Sequence, residues 1–194
     1  MIAGRIRHSL LIVSDSDKVY DYIIDLLPSG EFEPILKARS AGEAKRMLIA
    51  DSFDIVIINT PLPDEYGIEL ALDLSEGIMG VMLLVKSDNY NEVSYKVENN
   101  GILTLSKPNS KQVVYSSIKL LSAMSVKLNK LEKKNRTLQE KMADIRIVNR
   151  AKWLLIENLN MTEKDSHYYI EKQAMDMRLS RKEVAENIIR TYDK

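Results

Sequence analysis

The chain has 194 residues, enough for one full domain and a smaller module. Hydrophobic residues make up 45% of it, so a buried core is expected and wholesale disorder is not. It contains no cysteine, which excludes a disulfide scaffold, a thiol nucleophile and a cysteine-based metal site. The apolar run near the start is too short for a membrane span, and no signal peptide is visible, so the cytoplasm is the expected compartment.

The formal net charge of zero hides an asymmetry along the chain. Residues 1–110 carry 10 Lys and Arg against 17 Asp and Glu, whereas residues 111–194 carry 18 against 11. A basic carboxyl-terminal part is typical of a region that binds a polyanion. A lysine-rich coiled-coil surface would give the same count, so charge alone leaves both interpretations open.

Residues 1–110 alternate short apolar runs with amphipathic stretches. The runs are β-branched, as in parallel strands covered on both faces, and the predicted strands are His8–Val13, Pro34–Ala38, Asp54–Ile58, Val81–Val85 and Ile102–Leu105. The predicted helices are Asp17–Leu27, Ala41–Ala50, Gly67–Ser75 and Tyr90–Asn99. Ser40 and Glu43 predict a capping box on the second helix. Five such units predict a doubly wound, flavodoxin-like α/β domain with functional groups at the carboxyl ends of its strands.

The residues that follow these strands resemble the receiver domain of two-component response regulators, over about the first 120 residues. Ser14-Asp15 stands where that family has an acidic pair. The run Asn59–Gly67 matches the stretch that begins with its phosphoacceptor aspartate. Lys107-Pro108 matches the Lys-Pro after the fifth strand, while Val85 stands where the family has Thr or Ser. The resemblance implies an atypical receiver whose phosphoacceptor position, Asn59, is degenerate.

The substituted pocket predicts a receiver that accepts no phosphoryl group and needs no cofactor or metal. An amide such as that of Asn59 is a poor nucleophile, and Val85 has no hydroxyl to bind a phosphoryl oxygen. Asp15 is a weak Mg²⁺ site, because Mg²⁺ prefers several charged oxygen ligands. For Asp15 and Asp17, capping of the first helix is favoured over metal binding. Lys107 is expected to bond Asn59, Asp15 or nearby carbonyl oxygens and so to lock the loop.

From residue 110 onwards no Gly or Pro interrupts the helical pattern. A heptad repeat over residues 121–145 predicts a coiled-coil linker between a receiver (1–120) and a third segment (146–194). Its a positions are Leu121, Leu128, Asn135 and Met142, and its d positions are Met124, Leu131, Leu138 and Ile145. An Asn at an a position favours a parallel homodimer. The alternative is that the apolar stripe packs on the receiver within one chain.

Residues 146–194 predict a small three-helix bundle. The run Asn160–Thr162 ends the first helix, and Thr162 caps a second that continues to about Met177. Ser180 and Glu183 predict a capping box on the third helix. The predicted core draws on all three helices: Ile147, Ala151, Leu154, Leu155, Tyr169, Ile170, Ala174, Val184, Ile188 and Ile189.

This segment resembles the ANTAR family of RNA-binding antitermination domains over about fifty residues. The resemblance rests on Arg150-Ala151-Lys152, on an Ala-Met-x-x-Arg signature at 174–178, and on Val184–Ile189. Trp153 stands where the family often has a small residue; it is expected in the core, with a stacking platform as the alternative. His167 is expected on the surface rather than as a ligand or base.

The resemblance implies that the segment binds stem-loops in nascent leader transcripts and prevents a terminator hairpin from forming. The RNA-binding residues predicted are Arg150, Lys152, Lys172, Arg178, Arg181 and Lys182. Three of them flank the start of the third helix, where free N–H groups attract phosphate. On charge alone, a solvated face would be the simpler interpretation.

Two other functions stay open at this point. One is a DNA-binding response regulator, although no clear recognition helix is visible. The other is an adaptor whose receiver and coil bind a signalling protein partner. An enzyme is not expected, because the sequence has no nucleophile–base pair, metal set or phosphate-cradling glycine loop.

Overall fold

The computed structural model describes residues 7–193. The chain divides into two compact units, the first ending at Lys130 and the second starting at Leu131. One long helix, α5 (Lys111–Leu159), contributes residues to both units. Every helix within the described residues is too short or too polar to cross a lipid bilayer.

The first unit is a five-stranded parallel sheet with the strand order β2-β1-β3-β4-β5. Its strands are β1 (His8–Val13), β2 (Phe32–Ala38), β3 (Ile55–Asn59), β4 (Gly80–Lys86) and β5 (Leu103–Lys107). The helices between them are α1 (Asp17–Leu26), α2 (Ala41–Ala50), α3 (Ile68–Ser75) and α4 (Tyr90–Val97). This is the doubly wound, flavodoxin-like fold that the sequence predicted.

Helices cover both faces of this sheet, which explains why its strands are apolar throughout. Alternate side chains of a strand point to opposite faces, so Leu11 and Val56 belong to one core and Leu10 and Ile57 to the other. Helices α2, α3 and α4 contribute to the first core, whereas α1 and α5 contribute to the second. All four of these strand residues are fully buried.

Two predicted helix caps are wrong in detail. Helix α1 is capped by Ser16, whose hydroxyl accepts from the Val19 amide, and not by Asp15 or Asp17. The Ser40 hydroxyl caps α2 by accepting from the Glu43 amide at 3.2 Å, as predicted. The Glu43 carboxylate, however, accepts from the backbone N–H outside the cap, that of Arg39, so this capping box is incomplete.

Helix α5 is anchored to the first unit by one face. Val114, Ile118 and Leu121 are buried in the core beneath the sheet. A Cβ on Gly80 would lie 3.2 Å from the Leu121 Cβ, tighter than an ordinary contact, so glycine favours this close approach. One turn further on, the Ser125 hydroxyl donates to the Asp54 carboxylate at 3.3 Å. The dimerisation role given to Leu121 is therefore wrong, because Leu121 is 3% exposed and packs inside its own chain.

The second unit is a three-helix bundle built from the end of α5 together with α6 (Glu163–Met177) and α7 (Arg181–Tyr192). Ala151 and Leu155 of α5 pack against Ile170 of α6 and Ala185 of α7. The caps match the sequence prediction: Thr162 accepts from the Asp165 amide, and Ser180 and Glu183 form a complete capping box. The connection from α5 to α6 contains Asn160 in the left-handed conformation, which Asn adopts more readily than most residues.

The neighbouring residues Leu120 and Leu121 provide a matched test of how α5 is anchored. We expect Leu121→Ala to lower the free energy of unfolding of the first unit by about 2–5 kcal/mol, because it leaves a cavity beside Gly80. Leu120 is 54% exposed, so Leu120→Ala should change that free energy by well under 1 kcal/mol. Urea unfolding of both variants measures the difference. Equal losses would contradict the packing described.

Candidate functional site

The carboxyl ends of β1, β3 and β5 bring Ser14, Asn59 and Lys107 together, and we call these residues with Asp15 and Val85 the receiver pocket. The Asn59 side-chain N–H donates to the Ser14 hydroxyl at 3.1 Å. The Lys107 ammonium donates to the Asn59 side-chain carbonyl and to the Thr60 backbone carbonyl, both at 2.6 Å. Asn59 is 7% exposed, so both ends of its amide are satisfied by protein.

The rest of the receiver pocket does not suit phosphoryl or metal chemistry. Val85 is fully buried in the apolar core and offers no hydroxyl. Asp15 is exposed and is the one carboxylate among the pocket residues. Mg²⁺ needs several hard, charged oxygen ligands, so Ser14, Asp15 and Asn59 do not fit it. Burial, with a smaller contribution from Lys86, lowers the pKa of the Lys107 ammonium, while Asp15 opposes that shift.

Asp64 has a role at this rim that sequence reasoning missed. Its carboxylate accepts from the backbone amides of Ala41 and Gly42, both at 2.9 Å, and so caps α2 from the loop after β3. These two hydrogen bonds lower the pKa of the Asp64 carboxyl below its usual range. The residues involved are more than twenty positions apart, and no local motif links them.

A groove in the second unit collects basic side chains around the amino-terminal end of α7. It has a volume of about 550 Å³. We call it the basic groove, and it is lined by Lys141, Asp144, Ile145, Val148, Asn149, Lys152, His167, Ser180, Arg181 and Lys182. Its lining contains four Lys and Arg against one Asp, and the first amides of a helix open towards an anion.

The six predicted RNA-binding residues do not form one patch. Lys152, Arg181 and Lys182 line the basic groove, whereas the other three do not. Four of the six are ion-paired within the bundle: Arg150 with Asp193, Lys152 with Glu163, Arg181 with Glu171, and Lys182 with Asp144. Lys172 and Arg178 make no ion pair within residues 7–193.

Trp153 lies on the surface, so the expectation that it is a core residue is wrong. It is 70% exposed, because it lies two residues from buried Ala151 and therefore on the far side of α5. Tyr168 is 66% exposed on α6, because it lies two residues from buried Ile170 and so points away from the core. The His167 side chain is about half exposed and lies beside Glu171, as expected for a surface residue.

Comparison with known proteins assigns the two units. A family model described as the ANTAR domain matches residues 136–189, which span the end of α5, α6 and most of α7. The transcriptional regulatory protein PdtaR of Mycobacterium tuberculosis is 26% identical over 183 residues, or 94% of this chain and 89% of that protein. The chain combines a receiver domain with an ANTAR domain. The strain H37Rv sequence of PdtaR matches to the same extent.

Solved structures agree on the fold of the first unit. A signal receiver domain from Pseudomonas fluorescens superposes with a TM-score of 0.59 at 22% identity, covering 67% of this chain and 96% of that one. A response regulator receiver domain from Clostridium thermocellum superposes with a TM-score of 0.55 at 21% identity, covering 62% and 98%. At these identities the likeness concerns the receiver fold alone.

The receiver pocket predicts that the native receiver domain stays unphosphorylated. We expect incubation with Mg²⁺ and a small-molecule phosphodonor to leave the intact mass unchanged. The Asn59 amide is a poor nucleophile, and its two hydrogen bonds hold it in place. Mass spectrometry measures this directly. The triple variant Ser14→Asp, Asn59→Asp, Val85→Thr restores the family's groups and serves as the positive control. A stoichiometric, base-labile phosphate adduct on the native chain would contradict the expectation.

Proposed function

We propose that this chain is a transcription antitermination regulator that binds stem-loop RNA in nascent leader transcripts. The observation that carries the proposal is the match of residues 136–189 to the ANTAR domain. The similarity to a transcriptional regulatory protein over nearly the whole chain supports the same class of function. In this proposal the receiver domain acts without phosphorylation, and the ANTAR domain carries the RNA contact.

The electrostatics of the ANTAR domain support a polyanionic ligand. The basic groove joins Lys141, Lys152, Arg181 and Lys182 at the positive end of α7. The ion pairs that now hold three of these cations are partly exposed, and such pairs contribute about 0–1 kcal/mol each. An RNA phosphate can therefore replace a carboxylate at little cost.

We also propose that the chain acts as a parallel homodimer. The apolar seam along α5 consists of exposed heptad residues: Met124, Leu128, Leu131, Leu138, Met142 and Ile145. These side chains are 39–60% exposed in the single chain, although each is apolar. A row of exposed Leu, Met and Ile at heptad spacing is typical of a coiled-coil interface, and Asn135 at an a position favours parallel pairing. Two ANTAR domains on one dimer would raise the effective concentration for a second RNA contact.

Two other functions predict different ligands, which one experiment separates. We expect the full chain to bind stem-loop RNA with an affinity that falls as salt rises, because phosphate contacts release counterions. Duplex DNA and RNA of unrelated structure should bind more weakly. Preference for duplex DNA would favour a DNA-binding response regulator. Binding to neither nucleic acid, together with capture of a protein partner by the receiver domain, would favour an adaptor.

The ion pair between Arg181 and Glu171 allows a gain-of-function test of the basic groove. Arg181→Ala should weaken stem-loop binding and reduce the slope of log affinity against log salt by about one. Glu171→Gln removes the carboxylate that lies 3.0 Å from the Arg181 guanidinium, so it should tighten binding. Fluorescence anisotropy over a salt series measures both effects. Lys111→Ala, at the exposed start of α5, is the control and should change neither affinity nor slope.

The apolar seam predicts that dimerisation can be removed without unfolding either domain. Leu131→Ala with Leu138→Ala should shift the chain towards monomer, because each Leu buried in a dimer interface contributes about 2–5 kcal/mol. Both residues are exposed in the single chain, so the circular dichroism of the folded domains should be retained. Lys133→Ala, at an outer heptad position, is the matched control. A native chain that sediments as a monomer at micromolar concentration would contradict the proposal.

A further inference from the structure

A second groove in the ANTAR domain has a different character from the basic groove and shares no residue with it. It runs between α6 and α7 and has a volume of about 210 Å³. We call it the neutral groove, since its lining carries no charged residue: Tyr169, Gln173, Met177, Val184, Asn187, Ile188, Thr191 and Tyr192. Ligand clefts for whole cofactors are larger, at roughly 300–1,000 Å³. The neutral groove therefore suits a single planar ring.

The side chains of the neutral groove combine an apolar floor with unused polar groups. Val184 and Ile188 are 4% and 7% exposed and form its base. The side-chain amides of Gln173 and Asn187 make no hydrogen bond within residues 7–193. An amide can donate and accept at once, which is what the hydrogen-bonding edge of a nucleobase requires. The half-buried rings of Tyr169 and Tyr192 supply aromatic surface on which a base can stack.

Three basic residues are sequence neighbours of residues that line the neutral groove. Unlike most basic residues of the basic groove, they form no ion pair with Asp or Glu among the described residues. Lys172, Arg178 and Arg190 adjoin Gln173, Met177 and Thr191, and none of the three makes an ion pair within the part of the chain that the structure describes. They can meet phosphates without displacing a carboxylate.

Arg178 lies exposed at the end of α6. It ends α6 in the left-handed conformation, at φ 55° and ψ 37°. Glycine is the residue usually found at this position of a helix end, since a Cβ there costs roughly 1–2 kcal/mol. The Arg178 backbone N–H caps α6 by donating to the Ala174 and Met175 carbonyls. Its exposed guanidinium makes no hydrogen bond or ion pair within residues 7–193.

We propose that the neutral groove receives one unpaired base of the RNA loop, read by Gln173 and Asn187 and stacked on Tyr192, while Arg178 binds a flanking phosphate. The inference rests on the proposed RNA-binding function and names the part of the RNA that is recognised. The basic groove then supplies affinity for the stem phosphates, and the neutral groove supplies the choice of loop sequence.

The test uses the full chain and a library of RNA hairpins that share one stem and carry a randomised loop. Hairpins enriched by the native chain are compared with the same stem carrying an abasic loop, by fluorescence anisotropy. We expect Gln173→Ala and Tyr192→Leu to weaken binding to the enriched hairpin by about five- to a hundredfold, since a stacked base contributes on that scale. Neither change should alter binding to the abasic hairpin.

Matched variants separate base reading from folding. Tyr192→Phe keeps the aromatic ring and should retain binding, and Gln112→Ala, on an exposed turn of α5 in the receiver domain, should change nothing. Arg178→Gly relieves the left-handed backbone strain, so it should leave the melting temperature unchanged or higher while weakening RNA binding. In hairpins with 5-iodouracil in the loop, photo-crosslinks should map to Tyr169 or Tyr192.

The possible failures are distinguishable. If the native chain enriches hairpins but Gln173→Ala and Tyr192→Leu bind them as tightly as the native chain, the neutral groove is overturned and the RNA-binding function stands. The same conclusion follows if the abasic loop binds as well as the enriched loop. If the native chain enriches no hairpin and shows no salt-dependent binding to RNA, both proposals are overturned.

Discussion

Helix α5 has to bury side chains in two separate hydrophobic cores. Val114, Ile118 and Leu121 enter the receiver core, and Ala151 and Leu155 enter the core of the ANTAR domain. Successive residues of a helix are rotated by about 100° around its axis. The residues that enter each core therefore determine which way the neighbouring side chains on α5 point. The residues between the two anchors, 131–140, are all exposed in the single chain. Their apolar members belong to neither core, and the proposed homodimer would cover them with a second copy of this helix.

The first unit has the receiver fold, and at the position of that family's reactive groups it holds a set of structural hydrogen bonds. In the family's pattern, the phosphoacceptor position holds a carboxylate, which is a nucleophile and whose negative charge attracts a metal ion and the lysine. Here the neutral Asn59 amide bonds Ser14 on one side and Lys107 on the other, and these bonds tie β1, β3 and β5 together. The Asn59 amide is neutral and both of its ends are hydrogen-bonded, so this position offers no carboxylate to phosphorylate. In the proposed function, a signal would therefore reach the receiver domain by binding and not by phosphorylation.

The local pattern of the sequence predicted most elements to within a few residues. Helix α2 and strand β1 have the predicted bounds, and the caps at Thr162 and Ser180 are correct. These features depend on neighbours three or four positions away, which a sequence displays directly. The role of Leu121 did not follow from its heptad position, because spacing alone cannot tell a face that meets the receiver sheet from one that meets a partner. Trp153 is exposed because it lies two residues from buried Ala151 and so points away from the core of the bundle.

The arrangement of the candidate RNA site was less predictable, since it depends on contacts between distant residues. Sequence reasoning named six basic residues, but it could not pair Arg181 with Glu171 or Lys182 with Asp144. Nor could it bring Gln173 beside Asn187, because these residues lie on different helices. Charge composition is visible in a sequence, whereas the lack of charge in one groove is visible only once the helices have packed.

The division between charged and uncharged grooves has a physical consequence for how the ANTAR domain would recognise RNA. Cations held in ion pairs are already positioned, so a phosphate that replaces the carboxylate finds the side chain ordered and pays little conformational entropy. Such contacts do not depend on base identity, and they weaken as salt rises. Under the proposed recognition, selectivity would come from the side-chain amides of Gln173 and Asn187, because a mismatched base edge would leave a polar group without its hydrogen bond in the complex. Affinity and selectivity would then respond separately to salt, because the phosphate contacts of the basic groove weaken while the base contacts of the neutral groove do not.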